Sequence, residues 1–536
     1  MQEIELALAL VLGVAVVATL ARRVGLPAPI LLVVAGLAVG LVPGMHHFRL
    51  DPDVVLALFL PPLLHQAALN SSLRDFKANR RPIGLLSIGL VLFSTVAVGL
   101  VAHWAVPSMP LAAAFVLGAI VAPPDAVAAI AIGRRAGLPS RVVTILEGES
   151  LVNDATALVA YRVAVAAVVT GAFSLADVGL RFLVASVGGV AVGLAAGWLV
   201  IQARRRLADD PLAENTVALL APFAAYLPAE AVGASGVLAV VVAGLYLNRF
   251  YYGPRGFDAV DSGARLQVQA VWRMVVYLLE GVIFALIGLQ LPTVLEGLGS
   301  SSVAALVLDA AVVSAAVIVA RIVWVFPAAY LPRLLSRRIR AADPYPPWQH
   351  PAVIAWTGMR GVVSLAAALA LPFTTAGGAP FPERASIQFL AFCVILATLV
   401  LQGLSLPAVI RWLGVGGRRG PDGREEATAR HRTAEVALVR LDELVRQQAV
   451  PEAVERKLRH RLEERRRWAA KRLDGDGQVA NRVQAVHASY NQVRRALLRL
   501  ERAEAVRLLE DGTIGSDALH RVERELDLEE SQLSKR

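Results

Sequence analysis

The stretch Ile145–Val159, which reads ILEGESLVNDATALV, decides what kind of protein this chain can be. It places carboxylate and amide side chains inside a long apolar run, and its flanks of alanine, leucine and valine favour a helix. An ionised carboxylate at membrane depth costs on the order of 3 kcal/mol or more, so such a residue usually serves a function. On a helix, Ser150 and Asp154 share one face, and Glu149 and Asn153 form the adjacent row. These groups form an oxygen-rich site that suits a hard monovalent cation or a proton.

The composition predicts a membrane protein. The chain has 536 residues, of which 56% are hydrophobic, and a mean hydropathy of +0.58, far above that of an ordinary soluble domain. About thirteen apolar stretches between Leu6 and Leu413 approach or reach the roughly 20 residues that cross a bilayer as a helix. The single cysteine, Cys393, excludes a disulfide framework within the chain. We therefore expect an all-α polytopic membrane protein with about thirteen transmembrane helices.

The basic residues predict the orientation in the membrane. The net charge of +10 could suggest nucleic-acid binding, but the arginines follow alternate apolar stretches, for example at Arg74–Arg81, Arg204–Arg206 and Arg333–Arg340. By the positive-inside rule these loops are cytoplasmic, which places the N-terminus outside and the C-terminus inside. The expected partner is thus a lipid bilayer and not a nucleic acid.

The character of the chain changes after Leu413. Residues 414–423 are rich in glycine and predict a flexible linker, whereas residues 424–536 are charged and carry apolar residues at helical spacing. We expect a transmembrane domain at residues 1–413, then the linker, then a cytoplasmic helical domain at residues 424–536. The tail carries no catalytic constellation, and the chain has no Walker A lysine, so an ATP-driven pump is not indicated.

Two polar clusters interrupt predicted transmembrane helices. The first is Pro123 and Pro124 followed by Asp125, where proline removes backbone hydrogen bonds and breaks the helix. The second is Trp356–Ser364, which contains two glycines around Arg360. The two breaks occupy corresponding positions in the two halves of the membrane region. This is the pattern of an inverted repeat whose broken helices cross near the bilayer midplane.

Arg321 is a further charge in the middle of an apolar stretch. A charge at that depth needs a partner, and Glu149 is the nearest carboxylate in depth. Because Arg360 also lies at membrane depth, it is the rival partner of Glu149. The expected arrangement is a structural ion pair between Glu149 and Arg321.

Five stretches make the chain resemble the bacterial branch of the monovalent cation:proton antiporter-1 family, which contains sodium/proton exchangers. They are GESLVNDATALV from Gly148, APPDAV from Ala122, PAEAVGASGVLAVVVAGL from Pro228, LEGVIFALIGLQL from Leu279 and WTGMRGVVSLAAALALP from Trp356. The resemblance implies a homodimer in which a core domain, holding the crossed helices, moves against a dimerisation domain in elevator-type alternating access. It implies a transporter without catalytic residues or cofactor, which exchanges Na+, or alternatively K+ or Li+, for H+.

The resemblance also implies roles for the polar residues of Ile145–Val159. Asp154 resembles the carboxylate that binds the ion and the proton, and Ser150 resembles a second cation ligand. Asn153 resembles the residue that replaces the second aspartate of electrogenic relatives, so one charge would be exchanged for one. Glu149 resembles the acidic partner in an ion pair with Arg321.

Asp125 and Arg360 resemble the charged residues of the two broken helices, but two positions depart from the family pattern. Family members often have threonine where this chain has Pro124, so only a backbone carbonyl is available as a ligand there. An acidic residue that is common in the third apolar stretch is replaced by Gln66. This replacement removes a carboxylate from the expected entrance.

A competition mechanism follows from a single buried carboxyl group. Such a group holds its proton more readily than one in water, because burial disfavours the charged form. If the carboxylate cannot cross the membrane while it is empty and charged, transport of a cation in one direction requires transport of a proton in the other. Two other classes stay open: a cation channel, although no filter such as TVGYG occurs, and an ion sensor that signals through residues 424–536.

Overall fold

The computed structural model describes the chain except at residues 1, 25–27, 43–51, 72, 126–128, 131, 134–135, 172–174, 208–209, 252–261, 297, 299–301, 416–420, 448–449, 474–476, 512, 514–515 and 535–536. The described residues form helices and connecting segments, with one isolated β-bridge between Thr374 and Pro380. The helices of the first part are α1 (Gln2–Val24), α2 (Ala28–Gly40), α3 (Pro52–Asn70), α4 (Leu73–Ala78), α5 (Arg80–Ala105), α6 (Leu111–Val121), α7 (Ser140–Thr170), α8 (Leu175–Arg206), α9 (Pro211–Ala231), α10 (Gly236–Tyr251), α11 (Ser262–Glu296), α12 (Val303–Leu335), α13 (Arg337–Ala342), α14 (Gln349–Trp356), α15 (Val362–Leu369) and α16 (Arg384–Trp412). The last four are α17 (Pro421–Arg446), α18 (Glu452–Leu473), α19 (Gly477–Glu510) and α20 (Ser516–Ser534).

The chain divides into two compact units, Met1–Arg418 and Arg419–Arg536. Within the described part of the first unit, six helices are long and apolar enough to cross a membrane. They lie in α5, α7, α8, α11, α12 and α16. Shorter apolar helical segments occur in α1, α2, α6 and α10. The predicted all-α, multi-pass fold is confirmed, and the larger count of about thirteen spans stays a prediction.

The helices α5, α6, α7, α12, α14, α15 and α16 pack around one another. Their shared core is formed by fully buried side chains such as Leu117, Ile120, Val353 and Ile387. This group includes both predicted helix breaks, so it is the part of the fold that positions the polar residues of α7.

Helix α5 contains a π-helical turn at Leu85–Leu90. The indole Nε1 of Trp324, on α12, donates a hydrogen bond of 2.9 Å to the carbonyl of Leu85. The same ring lies so close to Gly89 that a Cβ there would be 2.5 Å from it. A π-turn disturbs the regular helical hydrogen bonds, and the indole donor from α12 satisfies one carbonyl in this turn.

Helices α2 and α11 also come into close contact. A Cβ atom on Gly36 would lie 2.1 Å from the carbonyl oxygen of Ala285, and one on Gly288 would lie 2.0 Å from that of Val33. Small residues let transmembrane backbones approach closely, and here they join α2 to α11. Helices α3, α8, α9 and α10 pack on one another beside this pair.

The second unit is a set of four helices in which α17 packs on α18 and α19 packs on α20. Small and apolar side chains such as Ala427, Ala434 and Leu441 are buried there. Helix α17 begins at Pro421, inside the segment predicted to be a linker, and residues 416–420 of that segment lie outside the described residues. The assignment of residues 424–536 to the cytoplasm stays a prediction.

Candidate functional site

The polar stretch Ile145–Val159 lies in the middle of α7, a helix of 31 residues. Glu149, Asn153 and Asp154 are buried, and Ser150 is half-buried. The helix is continuous through this stretch, so Ser150 and Asp154 are one turn apart and share a face.

Two interrupted helices meet beside α7. Helix α6 ends at Val121, and residues 122–125 are not helical. Helix α14 ends at Trp356, and α15 begins at Val362. The two breaks touch, because the backbone N–H of Asp125 donates a hydrogen bond of 2.7 Å to the carbonyl of Met359.

Asn153 connects α7 to the first break. Its side-chain Nδ2 donates a hydrogen bond of 2.9 Å to the carbonyl of Pro124. The Oδ1 atom of Asn153 is buried and has no hydrogen-bond partner among the described residues. A carbonyl oxygen has two lone pairs, so the Pro124 carbonyl retains one for another ligand. Sequence reasoning did not foresee this contact.

Asp154 differs from the other buried acid of α7. Its side chain is 6% exposed, and within the described part of the chain its carboxylate forms no hydrogen bond or salt bridge. Two other carboxylates belong to this region, because Asp125 interacts electrostatically with both Asp154 and Glu280. Glu280, on α11, was not among the residues predicted from the sequence, although an acid inside an apolar helix is itself a signal of function.

Glu149 is fully paired. Arg321, on α12, donates to both carboxylate oxygens of Glu149 at 2.5 and 2.9 Å, and its Nε donates to the carbonyl of Ile354 at 3.0 Å. The two side chains are 2% and 1% exposed. Gly358 makes room for the guanidinium stem, because a Cβ there would lie 2.5 Å from Cδ of Arg321. The pair therefore ties α7 to α12 and to the second break.

Arg360 is buried in the second break, and its side chain donates a hydrogen bond to the backbone of that break. Its NH1 group donates to the carbonyl of Gly358 at 2.9 Å, and its backbone N–H donates to Oγ1 of Thr398 at 3.0 Å. These bonds hold the unwound segment against α16. The hydrogen bonds of Arg360 that the structure gives go to Gly358 and Thr398, whereas Glu149 is bound by Arg321.

Gln66 lies elsewhere, on α3. It lines an open cavity together with His65, Arg204 and Trp272. The cavity therefore has a histidine and an arginine in its wall near the position where the family resemblance suggested an acid.

Gly361→Ala should lower both stability and transport, because the alanine Cβ would lie 1.9 Å from Oδ2 of Asp125. Overpacking of this kind costs about 1–3 kcal/mol. Rotation of the Asp125 side chain cannot relieve it fully, because the new Cβ would also lie 2.6 Å from the Cβ of Asp125, so the backbone of one break must shift. Melting in detergent and ion flux in liposomes measure the two effects. Gly377→Ala is the matched control, since a Cβ there meets nothing within 4 Å. Wild-type flux in Gly361→Ala would show that the position of Asp125 is unimportant.

An all-helical membrane protein whose interrupted helices meet beside a buried carboxylate has the architecture of a secondary ion transporter. Comparison with known proteins makes this specific. Residues 8–412 match the family described as sodium/hydrogen exchanger, transmembrane. The chain therefore belongs to the sodium/hydrogen exchanger family of cation:proton antiporters.

Several relatives support this assignment. An uncharacterized Na(+)/H(+) exchanger of Mycobacterium tuberculosis is 37% identical over 98% of this chain and 95% of the relative. A sodium, potassium, lithium and rubidium/H(+) antiporter of Bacillus pumilus is 35% identical over a stretch that covers 71% of this chain and 57% of the relative. The sodium proton antiporter MjNhaP1 of Methanocaldococcus jannaschii, at 20% identity, has a similar fold, with a TM-score of 0.55 over 77% of this chain and 98% of the solved one.

Family membership settles the general function. The chain is a multi-pass membrane transporter that exchanges cations for protons, and it is not an enzyme. Membership alone does not give the roles of individual residues.

Proposed function

We propose that the protein exchanges Na+ for H+ by letting the cation and the proton compete for Asp154. The observation that carries this proposal is the contrast between two buried acids on one helix. Glu149 is neutralised by Arg321, whereas Asp154 is buried without a protein partner in the described part of the chain. A buried carboxylate without a partner is unstable as a bare anion, so it favours either a bound proton or a bound cation.

The neighbours of Asp154 suit a small, hard cation. Ser150 shares the face of Asp154 and contributes a hydroxyl oxygen, and Asn153 and Pro124 contribute amide and carbonyl oxygens. Oxygen ligands are those that hard cations prefer. In our proposal Asp154 and Ser150 bind the metal ion directly, and Asp125 supplies further negative charge from the break.

Alternating access is proposed to follow the elevator scheme. The group of helices around the breaks would carry the site across the membrane, moving against the group that contains α2 and α11. Support comes from the closer packing of helices within each of these two groups than between them. We further propose that the membrane domain is an inverted repeat of about thirteen transmembrane helices and that the protein forms a homodimer. Its proposed location is the bacterial plasma membrane, with the N-terminus outside and a cytoplasmic domain at residues 424–536.

K+/H+ exchange is the alternative within the same class. It is supported by the name of the Bacillus pumilus relative, which includes potassium, lithium and rubidium. Liposomes that contain the purified protein and a pH-sensitive dye would distinguish the ions, with each chloride salt added in turn. We expect a saturable proton flux that starts on addition of Na+. A flux that does not saturate, or that needs no proton movement, would indicate a channel and contradict the proposal.

The exchange should be electroneutral, because Asn153 occupies the position of a second titratable acid and only Asp154 changes its charge. In the same liposomes, an imposed membrane potential should change neither the initial rate nor the final Na+ gradient. A potassium gradient with valinomycin sets the potential, or a thiocyanate gradient if K+ is itself exchanged. A rate that depends strongly on the potential would show that net charge moves in each transport cycle and would contradict electroneutral exchange.

A further inference from the structure

A cluster of arginines outside the ion site surrounds one carboxylate. Arg81 and Arg333 each donate to Oδ2 of Asp343 at 2.7 Å, and Arg141 donates to Oδ1 at 2.7 Å. These side chains come from the ends of α5, α7 and α12 and from the segment after α13. Three guanidinium groups around one carboxylate leave an excess of two positive charges. We call these four residues the Asp343 cluster.

The Asp343 cluster keeps this charge at neutral pH. Partial burial of Asp343 acts to raise its pKa, but hydrogen bonds and positive charge from Arg141, Arg333 and Arg81 outweigh it and hold the pKa below its usual value. Arginine itself stays protonated at any physiological pH. The side chains of Arg141 and Arg81 are 47% and 27% exposed, so they retain N–H donors that a second anion can reach.

An apolar groove begins at the cluster. It lies between α5, α7, α12 and α14 and is open to the surroundings, and Arg141 and Arg333 form part of its lining. Its walls are otherwise mainly apolar and include Pro82, Val142, Ile145, Val325, Ala328 and Ile354. A basic group at one end of an apolar groove has the chemistry of an amphiphile site and not that of a site for a small soluble anion.

The position of the groove fits the boundary between membrane and water. It joins the ends of three helices that are long and apolar enough to cross a bilayer. Tyr345 and Trp348, which follow the cluster, are 44% and 53% exposed, and Leu334 and Leu335 are also exposed. Exposed tyrosine and tryptophan beside arginines are typical of the headgroup region on the cytoplasmic side.

We propose that the Asp343 cluster and the adjoining groove bind an anionic phospholipid of the cytoplasmic leaflet. The phosphate contacts the outward-facing N–H groups of Arg81 and Arg141, and one acyl chain lies in the groove. Basic pockets between transmembrane helices on the cytoplasmic side recognise anionic headgroups in this way. Asp343 competes with the lipid for the same arginines, so it sets the strength of binding without abolishing it.

The test is a lipid titration of the full chain in a non-ionic detergent, followed by thermal melting. We expect dioleoyl phosphatidylglycerol to raise the melting temperature, and neither dioleoyl phosphatidylcholine nor inorganic phosphate to do so. Equal protection by phosphatidylcholine would show a purely apolar contact. Equal protection by phosphate would show a small-anion site. Either result would overturn the proposal.

Charge variants separate this site from general surface attraction. Arg81→Gln/Arg141→Gln should weaken the apparent affinity for phosphatidylglycerol about 30-fold, since each arginine near a membrane surface contributes roughly fivefold. The matched control is Arg337→Gln/Arg338→Gln, which removes the same charge from exposed positions on α13 and should have a far smaller effect. Equal losses of affinity in the two variants would show that the lipid is held by diffuse electrostatic attraction, and this would refute the site.

Two further variants keep the test decisive if loss of the arginines prevents folding. Asp343→Asn removes the internal competitor and should tighten lipid binding about fivefold, because one unit of negative charge is lost. A cluster with only a structural role would lose stability without any gain in lipid affinity. Ala328→Phe fills the groove and leaves every charge in place, so it should weaken lipid binding. Unchanged binding in Ala328→Phe would exclude the acyl chain from the groove.

Discussion

Asp154→Asn should abolish cation/proton exchange while the protein still folds and inserts into the membrane. Asparagine has nearly the same shape as aspartate, but it neither titrates nor supplies a negative charge to a cation. Under the proposed mechanism both halves of the cycle fail, so flux should fall to that of empty liposomes. Stability should stay the same or rise, because a neutral amide is easier to bury than a carboxylate without a protein partner.

The experiment combines dye-loaded liposomes, tested with Na+, K+ and Li+ salts, with thermal melting in detergent. Asp309→Asn is the control, because Asp309 lies in the apolar helix α12 but outside the proposed ligand set. It should transport like the wild type. Clear ion-driven proton flux in Asp154→Asn would contradict the mechanism and would direct attention to Asp125 and Glu280 as proton carriers.

The helix breaks could be predicted from the sequence because their cause is local. Proline cannot continue a helix's hydrogen bonds, and Pro123 and Pro124 lie in an apolar stretch long enough to be a span. Glycines around Arg360 gave a similar signal in the second half of the membrane region. The contact between the breaks, from the N–H of Asp125 to the carbonyl of Met359, was not predictable, because no residue pattern encodes which backbone atoms of two distant segments will meet.

Side-chain partners were predictable only where the alternatives were few. A charge such as Arg321 cannot stay unpaired in a membrane, and few carboxylates lie at its depth. Glu149 was therefore the expected partner, and Arg360 was the rival arginine for Glu149. Asn153 had no such constraint. An amide can bond to almost any neighbour, and its donation to the Pro124 carbonyl depends on how α7 faces the break. The Asp343 cluster joins three helices and a loop, and its surface arginines gave no hint of a shared centre.

The number of transmembrane helices is the feature of the fold that the sequence defines least well. Length and hydropathy identify α5, α12 and α16 easily, since each exceeds the roughly 20 residues of a span. Interrupted helices escape this criterion. Helix α6 ends at Val121 and α15 has only eight residues, because the breaks divide what would otherwise be single spans. The feature that forms the site is therefore the same one that obscures the count.

Glu149→Gln and Arg321→Gln should each destabilise the protein strongly. The pair is bidentate and almost completely buried, so removal of one partner leaves the other as an uncompensated charge in a dry core. The expected loss is about 3–5 kcal/mol for each single variant. A stranded Glu149 can take up a proton and become neutral. A stranded Arg321 stays charged and keeps only the Ile354 carbonyl as an acceptor. We therefore expect Glu149→Gln, which strands Arg321, to be the more damaging variant.

The double variant Glu149→Gln/Arg321→Gln should lose less than the sum of the two single losses, because no charge is left stranded. Unfolding by SDS in mixed micelles gives the free energies for this double-mutant cycle. Arg162→Gln is the control on the same helix, since its pair with Glu230 is partly exposed, and loss of such a pair should cost no more than about 1 kcal/mol. Additive losses for Glu149 and Arg321, with strong coupling of Glu149 to Arg360 instead, would mean that Arg360 neutralises the acid. In that case the partner assigned to Glu149 would be wrong, whereas the contrast between a neutralised Glu149 and an Asp154 without a counter-charge would remain.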